Sequence, residues 1–180
     1  MRVLGLDPGS RRTGFGLVER DGNRLSCIVH GIVAPGARLG LASRLLDIAT
    51  KVGEVMEQAH ADAVVVEEAF YHESARSTLV LGHVRGVLLV AAAQRGLPIA
   101  EYSPREIKLG VTGSGAAAKQ QVAFMVRRLL GLRGSLSVDA ADALAAALCH
   151  LQRARFSAPA RAASAAAERL EALLAGRGPR

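Results

Sequence analysis

Four carboxylate positions stand where strands or helices are expected to end: Asp7, Glu67 with Glu68 beside it, Asp139 and Asp142. Taken singly, most have an ordinary structural reading. An Asp before Pro8-Gly9 commonly forms a turn, and Glu67-Glu68 after an apolar run suits the solvated start of a loop. Asp139, behind Ser137, suits the positive end of a helix macrodipole. Asp142 is harder to explain that way. It follows Asp139 by one helical turn in an otherwise Ala and Leu segment, so both carboxylates share one helix face. If that face of small residues lies against the strand ends, four carboxylates meet, and they cannot all stay ionised without a cation. Oxygen ligands select hard ions, Mg²⁺ or Mn²⁺, because no paired His and Cys set at zinc spacing accompanies them. Two such ions about 3.5 to 4 Å apart activate a water and stabilise the leaving oxygen of a phosphodiester. The joint expectation is hydrolysis of nucleic acid.

Basic residues near those acids agree with it. From Lys108 to Arg133 the chain carries five basic side chains and no acid, whereas a merely solvated helix face mixes signs. This segment, with Lys108, Lys119, Arg127 and Arg128, reads as a phosphate-contacting surface. Lys119, just after Gly113-Ser114-Gly115, is the first candidate contact, and Arg11, Arg12 and Arg76 are further ones on more isolated positions. Phe70 and Tyr71 are adjacent in a chain with only 3% aromatic residues. They either anchor their loop or stack on bases of a distorted duplex. His30, His60, His72, His83 and His150 form no ligand set, and His150 can at most support a ligand from behind.

The elements that must position these groups follow from periodicity and turn chemistry. Arg2 to Asp7 is a short apolar strand broken by Pro8-Gly9, and Gly14 to Glu19 and Leu25 to Val33 flank the hairpin signal Asp21-Gly22-Asn23. Leu41, Leu45, Ile48, Val52, Val55 and Met56 form one face of an amphipathic helix over 39 to 59. Ala63 to Val66 reads as a strand buried on both faces, delivering Glu67. A helix over 74 to 95 is apolar nearly all round, with Gly82 and Gly86 one turn apart, so it needs cover from the core or from a second subunit. Pro98 to Tyr102 is a last short strand, and Ser103-Pro104-Arg105-Glu106 is a capping box that starts a short helix. Helices are expected over 116 to 130 and 138 to 155, followed by an Ala, Arg and Pro tail with a marginal helix around 163 to 175. The order β-β-β-α-β-α-β-α-α implies an α/β domain with a mixed sheet. Its boundaries are placed at 1–156, with 157–180 as a basic, flexible tail.

Composition narrows the class further. With 180 residues, 50% of them hydrophobic, the chain can bury one sizeable core, which excludes disordered, collagen-like and disulfide-scaffold proteins. Lys and Arg number 23 against 16 Asp and Glu, for a net charge of +7, which favours a polyanionic partner. The first ninety residues hold 10 basic and 10 acidic side chains and the second ninety hold 13 and 6, so the excess lies wholly in the second half. Cys27 and Cys149 read as small apolar residues in a reducing cytoplasm. Met1 to Leu6 runs straight into Asp7, leaving no room for a secretory segment, and no uninterrupted apolar run approaches the ~20 residues of a membrane span, so a cytoplasmic protein without a membrane partner is expected.

Four motifs in order, Gly5-Leu6-Asp7-Pro8-Gly9-Ser10 with Thr13-Gly14-Phe15-Gly16, Val66-Glu67-Glu68-Ala69-Phe70, Leu81-Gly82-His83-Val84-Arg85-Gly86-Val87, and Asp139-Ala140-Ala141-Asp142-Ala143-Leu144, closely resemble the RuvC family. The resemblance runs from Met1 to about His150 and implies a ribonuclease H-like five-stranded sheet and a homodimer. It further implies Mg²⁺-dependent nicking of two like-polarity strands across a Holliday junction, a four-way DNA intermediate of recombination and repair. By matching position it makes Asp7, Glu67, Asp139 and Asp142 the catalytic, metal-binding carboxylates, and Phe70 the aromatic that inserts into the junction. It likewise makes Lys108 and Lys119 DNA contacts, and the helix with Gly82 and Gly86 the dimer helix. A RuvA–RuvB branch-migration complex is the partner the family implies. The sequence departs at Ser74, where the family often has Asn, and at Ala118, where an acid is common. Two other readings compete: an actin-like ATPase, against which the length argues because 180 residues cannot supply a second closing subdomain, and a non-catalytic junction-binding module.

Overall fold

The computed structural model describes residues 1–68 and 74–154. Phe70, Tyr71, the boundary expected at 156/157 and the expected tail helix lie outside the described residues. The elements in chain order are β1 (Arg2–Asp7), β2 (Thr13–Asp21), β3 (Arg24–Val33), α1 (Leu41–Ala59), β4 (Ala63–Glu67), α2 (Ala75–Ala93), β5 (Ile99–Tyr102), α3 (Pro104–Thr112), α4 (Lys119–Leu130) and α5 (Val138–Arg153).

The five strands form one sheet in the order β3-β2-β1-β4-β5. The first three strands are an antiparallel meander, and the β2–β3 connection is the two-residue turn Gly22-Asn23 with Gly22 at φ +57. Glycine takes that conformation without the Cβ clash that other residues suffer. β4 pairs parallel to β1 and β5 parallel to β4, so the mixed sheet expected from the element order is present. Parallel pairing carries the chain back across the sheet through a helix each time, which sets α1 and α2 on one face.

Strand alternation divides the core into two layers. Leu4, Leu6, Leu17, Val64 and Val66 point to the face covered by α1 and α2. Val3, Val18 and Val65 point to the other, where α3, α4 and α5 contribute Ile107, Val126, Leu144 and Leu148. Val64, Val65 and Val66 are all fully buried, as a strand covered on both faces requires.

α5 lies closer to the sheet than ordinary side chains allow. A Cβ added to Gly5 would sit 1.9 Å from the Ala143 carbonyl oxygen, and one on Gly14 would sit 2.1 Å from that of Asp139. One on Gly16 would meet the Leu144 side chain at 2.6 Å. Sheet glycines therefore face a helix built from small residues, and the backbones come together.

α2 keeps Val84, Leu88, Ala91 and Ala92 in the core but leaves Leu79 at 66% and Val90 at 56% exposure. Gly82 and Gly86 face open space. Among the described residues it is the one helix long and apolar enough, by length and composition, to cross a membrane, yet it carries Arg76, His83 and Arg85 and packs one face into the core. α4 starts at Lys119 rather than at the expected 116. The Ala117 amide closes a turn on Ser114, and Gln121 reaches back to the Ala118 amide at 2.8 Å, so the alanine run before Lys119 stays outside the helix.

Candidate active site

The strand ends bring two acids side by side. Asp7 closes β1 and Glu67 closes β4, adjacent strands in parallel register with Leu6 opposite Val66. Behind Asp7 the chain turns through residues 8 to 12, held shut by Thr13. Its hydroxyl donates to the Gly9 carbonyl at 2.9 Å, and Thr13 is the only fully buried polar side chain among the described residues. A hydroxyl in that setting needs a partner, and the loop carbonyl supplies it.

α5 brings the second pair. Ser137 caps it by accepting from the Ala140 amide, which places Asp139 in the first turn and Asp142 one turn later on the same face. Because α5 sits against Gly5 and Gly14, this face meets the end of β1. Asp7, Glu67, Asp139 and Asp142 all line one open cleft of about 1180 Å³, with Glu68 beside them.

Lys108, Lys119 and Arg76 line the same cleft, together with Arg11, Arg12 and Arg44. Lys119, the first residue of α4, places Nζ 3.2 Å from Asp142 Oδ2, and Arg12 places Nε 2.9 Å from Asp139 Oδ2. Lys108 reaches the cleft from α3, whose start is fixed by the expected capping box: Ser103 Oγ accepts from the Glu106 amide at 3.3 Å, and Glu106 accepts from the Ser103 amide at 3.0 Å.

Arg127 is not brought to the cleft. It donates to the Gly134 carbonyl at 2.6 Å, beyond the far end of α4. His150 is also elsewhere, with Nδ1 3.0 Å from the Tyr102 hydroxyl. Cys27 and Cys149 are free thiols, and burial pushes the Cys149 thiol up to about 11, so it behaves as the apolar residue expected. Arg44 had no signal in its own sequence context: it arrives because α1 begins at Leu41 beside the cleft, and its guanidinium donates to the Leu39 carbonyl at 3.2 Å.

The cluster is electrostatically loaded. Burial first, then Glu67, Asp142 and Asp139, push Asp7 up to about 8 against the pull of Lys119. Burial and then Asp142 push Glu67 up to about 7, opposed by Lys119 and Lys108. Carboxylates so raised are short of positive charge, and the all-oxygen donor set suits a hard divalent ion. As the side chains stand, however, no group of three His, Cys, Asp or Glu among the described residues is arranged to hold a metal ion. Asp139 and Asp142 are turned toward Arg12 and Lys119 instead, so these residues fit an ion in chemistry and location but must exchange partners to take it.

Comparison with known proteins bears on what such a cleft does. The model of the family described as crossover junction endodeoxyribonuclease RuvC matches residues 3–150. A relative of that name from Caulobacter vibrioides is 47% identical over 149 residues, covering 83% of this chain and 88% of its own length. Another from Halorhodospira halophila is 47% identical over 168 residues, covering 93% and 99%. Among solved structures, that of Thermus thermophilus RuvC in complex with Holliday junction substrate superposes with a TM-score of 0.82 at 35% identity, covering 87% of this chain and 96% of its own. The mixed sheet with flanking helices is thus a ribonuclease H-like fold.

Proposed function

The chain belongs to the RuvC family, and on that premise we propose how its residues divide the work of resolving a Holliday junction. The enzyme is a junction-resolving endonuclease, a hydrolase of DNA phosphodiester bonds acting in recombination and repair. One observation carries the assignment of its site: two acids on adjacent parallel strand ends and two on one helix face line a single cleft together with Lys108 and Lys119.

In this reading Asp7, Glu67, Asp139 and Asp142 are the catalytic carboxylates and would hold Mg²⁺, with Mn²⁺ as a substitute, two ions per site. Held by these carboxylates, a hard divalent ion would supply Lewis acidity that activates an attacking water and stabilises the leaving oxygen. The chain's own residues do the rest. Lys108, Lys119 and Arg76 hold the phosphates of the cut strand across the cleft, and Arg127 contacts the backbone farther along. Phe70, three residues after the Glu67 end of β4 and five before the start of α2, stacks on bases unpaired at the crossover. The protein is read as a homodimer joined through α2, with Gly82 and Gly86 allowing close backbone approach, so that a two-fold assembly meets a two-fold substrate. A cytoplasmic location and work alongside a RuvA–RuvB branch-migration complex complete the proposal.

The test is a labelled four-way junction incubated with the protein, with and without Mg²⁺. Paired symmetric nicks that require the ion are expected, and Asp7→Asn retains junction binding while nicking falls by about 10³-fold, equivalent to ~4 kcal/mol of transition-state stabilisation. Near-wild-type cleavage by Asp7→Asn overturns the site. Binding without nicking under any divalent ion supports the non-catalytic module instead.

A further inference from the structure

We propose that Arg12 and Lys119 are exchangeable counter-cations: each neutralises one carboxylate of the free enzyme and passes to the DNA phosphates when the junction binds, so that junction binding and divalent-ion binding strengthen one another. The inference rests on the reading of this cleft as the metal-dependent nuclease site and adds how that site is regulated.

The two ion pairs share one asymmetry. In Lys119–Asp142 the cation side chain is 71% exposed and the acid 21%, and in Arg12–Asp139 the values are 56% and 29%. The fold holds each acid, through α5 pressed on the sheet glycines, while each cation stands in solvent at the rim of the cleft. Either cation can leave without disturbing packed atoms. An exposed ion pair is held weakly, because water screens the attraction and both side chains lose freedom to form it. Phosphates entering the same cleft offer these cations an alternative partner, and each transfer frees a carboxylate oxygen that a divalent ion can take. Linkage makes the effect reciprocal: an ion that displaces Lys119 from Asp142 releases a cation for DNA.

Lys108 supplies the control. It lines the same cleft and its charge is felt by Glu67, yet among the described residues it forms no ion pair with a carboxylate. Removing it takes away the same charge without removing a direct bond.

The experiment uses the full chain, an immobile four-way junction and Ca²⁺ as a hard divalent probe, at fixed ionic strength. Calorimetry gives Ca²⁺ affinity for the free protein, and fluorescence anisotropy gives junction Kd with and without saturating Ca²⁺. The ratio of those two Kd values, the coupling factor, is expected to be about tenfold in the wild type. Lys119→Met and Arg12→Gln each bind Ca²⁺ about three- to tenfold more tightly when free, and their coupling factors fall toward one. Lys108→Met keeps the wild-type coupling. Equal effects of Lys119→Met and Lys108→Met, or unchanged coupling in both Lys119→Met and Arg12→Gln, overturn the proposal. Should Asp7→Asn leave Ca²⁺ binding intact, the cleft is not the ion site and the nuclease reading falls with it. Loss of Ca²⁺ binding in Asp7→Asn together with uniform coupling across the cation variants defeats this proposal alone. The two cations lie on different elements, so a folding defect in one variant leaves the other to decide.

Discussion

Asp7 and Glu67 hold their protons far above the ordinary carboxylate value of about 4, at about 8 and about 7, because the fold buries them beside other acids. Between those limits the folded chain binds more protons than the unfolded one, so in the absence of a divalent ion stability falls as pH rises. The stabilising protonated forms are complete below about pH 4 and are lost as pH passes through 7 and 8. Scanning calorimetry in a chelator should therefore show a thermal midpoint that declines from pH 5 to 9. Mg²⁺ should flatten that decline, since ion and proton compete for the same oxygens, and Asp7→Asn should raise the midpoint at the alkaline end. A midpoint that climbs over this range contradicts the burial-driven shifts. At this scale the sequence was informative about residue types and silent about partners. The Asp139, Asp142 spacing announced a shared face, and Lys119 read as a phosphate contact, but its bond to Asp142 joins residues 23 positions apart and no local pattern encodes that. Arg12 was one more isolated arginine until the loop closed by Thr13 turned it toward Asp139.

Helix placement turns on the sheet glycines. Gly5→Ala puts a methyl group into the Ala143 carbonyl oxygen, a backbone atom that cannot rotate aside, so α5 must lift and carry Asp139 and Asp142 with it. The expected cost is about 3 kcal/mol, or a midpoint lowered by about 6 to 12 °C, with nicking impaired even below the melting range. Ala143→Gly should not rescue it, because the side chain at 143 is not the obstacle. Element types and order were legible from periodicity and turn chemistry: the meander, the twice-buried β4 and the capping box at Ser103 all formed as read. The start of α4 was not, since an alanine run offers helix propensity without a boundary and the decision fell to backbone turns at Ser114 and Ala118.

The assembled molecule exposes Leu79 and Val90 on the helix that also turns Gly82 and Gly86 outward. A Cβ at either glycine meets nothing, so Gly82→Glu with Gly86→Glu should keep the fold, and replacing helical glycine should if anything stabilise the isolated subunit by about 1 kcal/mol. If α2 is the dimer seam, sedimentation should give a monomer that no longer makes paired nicks. A dimer that survives both charges places the seam elsewhere. The net charge of +7 concentrated in the second half should make junction affinity steeply salt-dependent, and Lys108→Met should lower the slope of log K against log salt by about one, read by anisotropy across a salt series.

The position of α5 also orders events during synthesis. A nascent chain truncated before residue 138 has both strand-end acids but neither the helix that seals one side of the sheet nor the acids that helix carries. Such a fragment bares the apolar undersurface of Val3, Val18 and Val65 and holds two of the four acids proposed to carry the cutting. If the proposed site is right, a ribosome that stalls before residue 138 releases an inert polypeptide, and competence to cut DNA arrives only with α5, the last of the described elements to leave the exit tunnel.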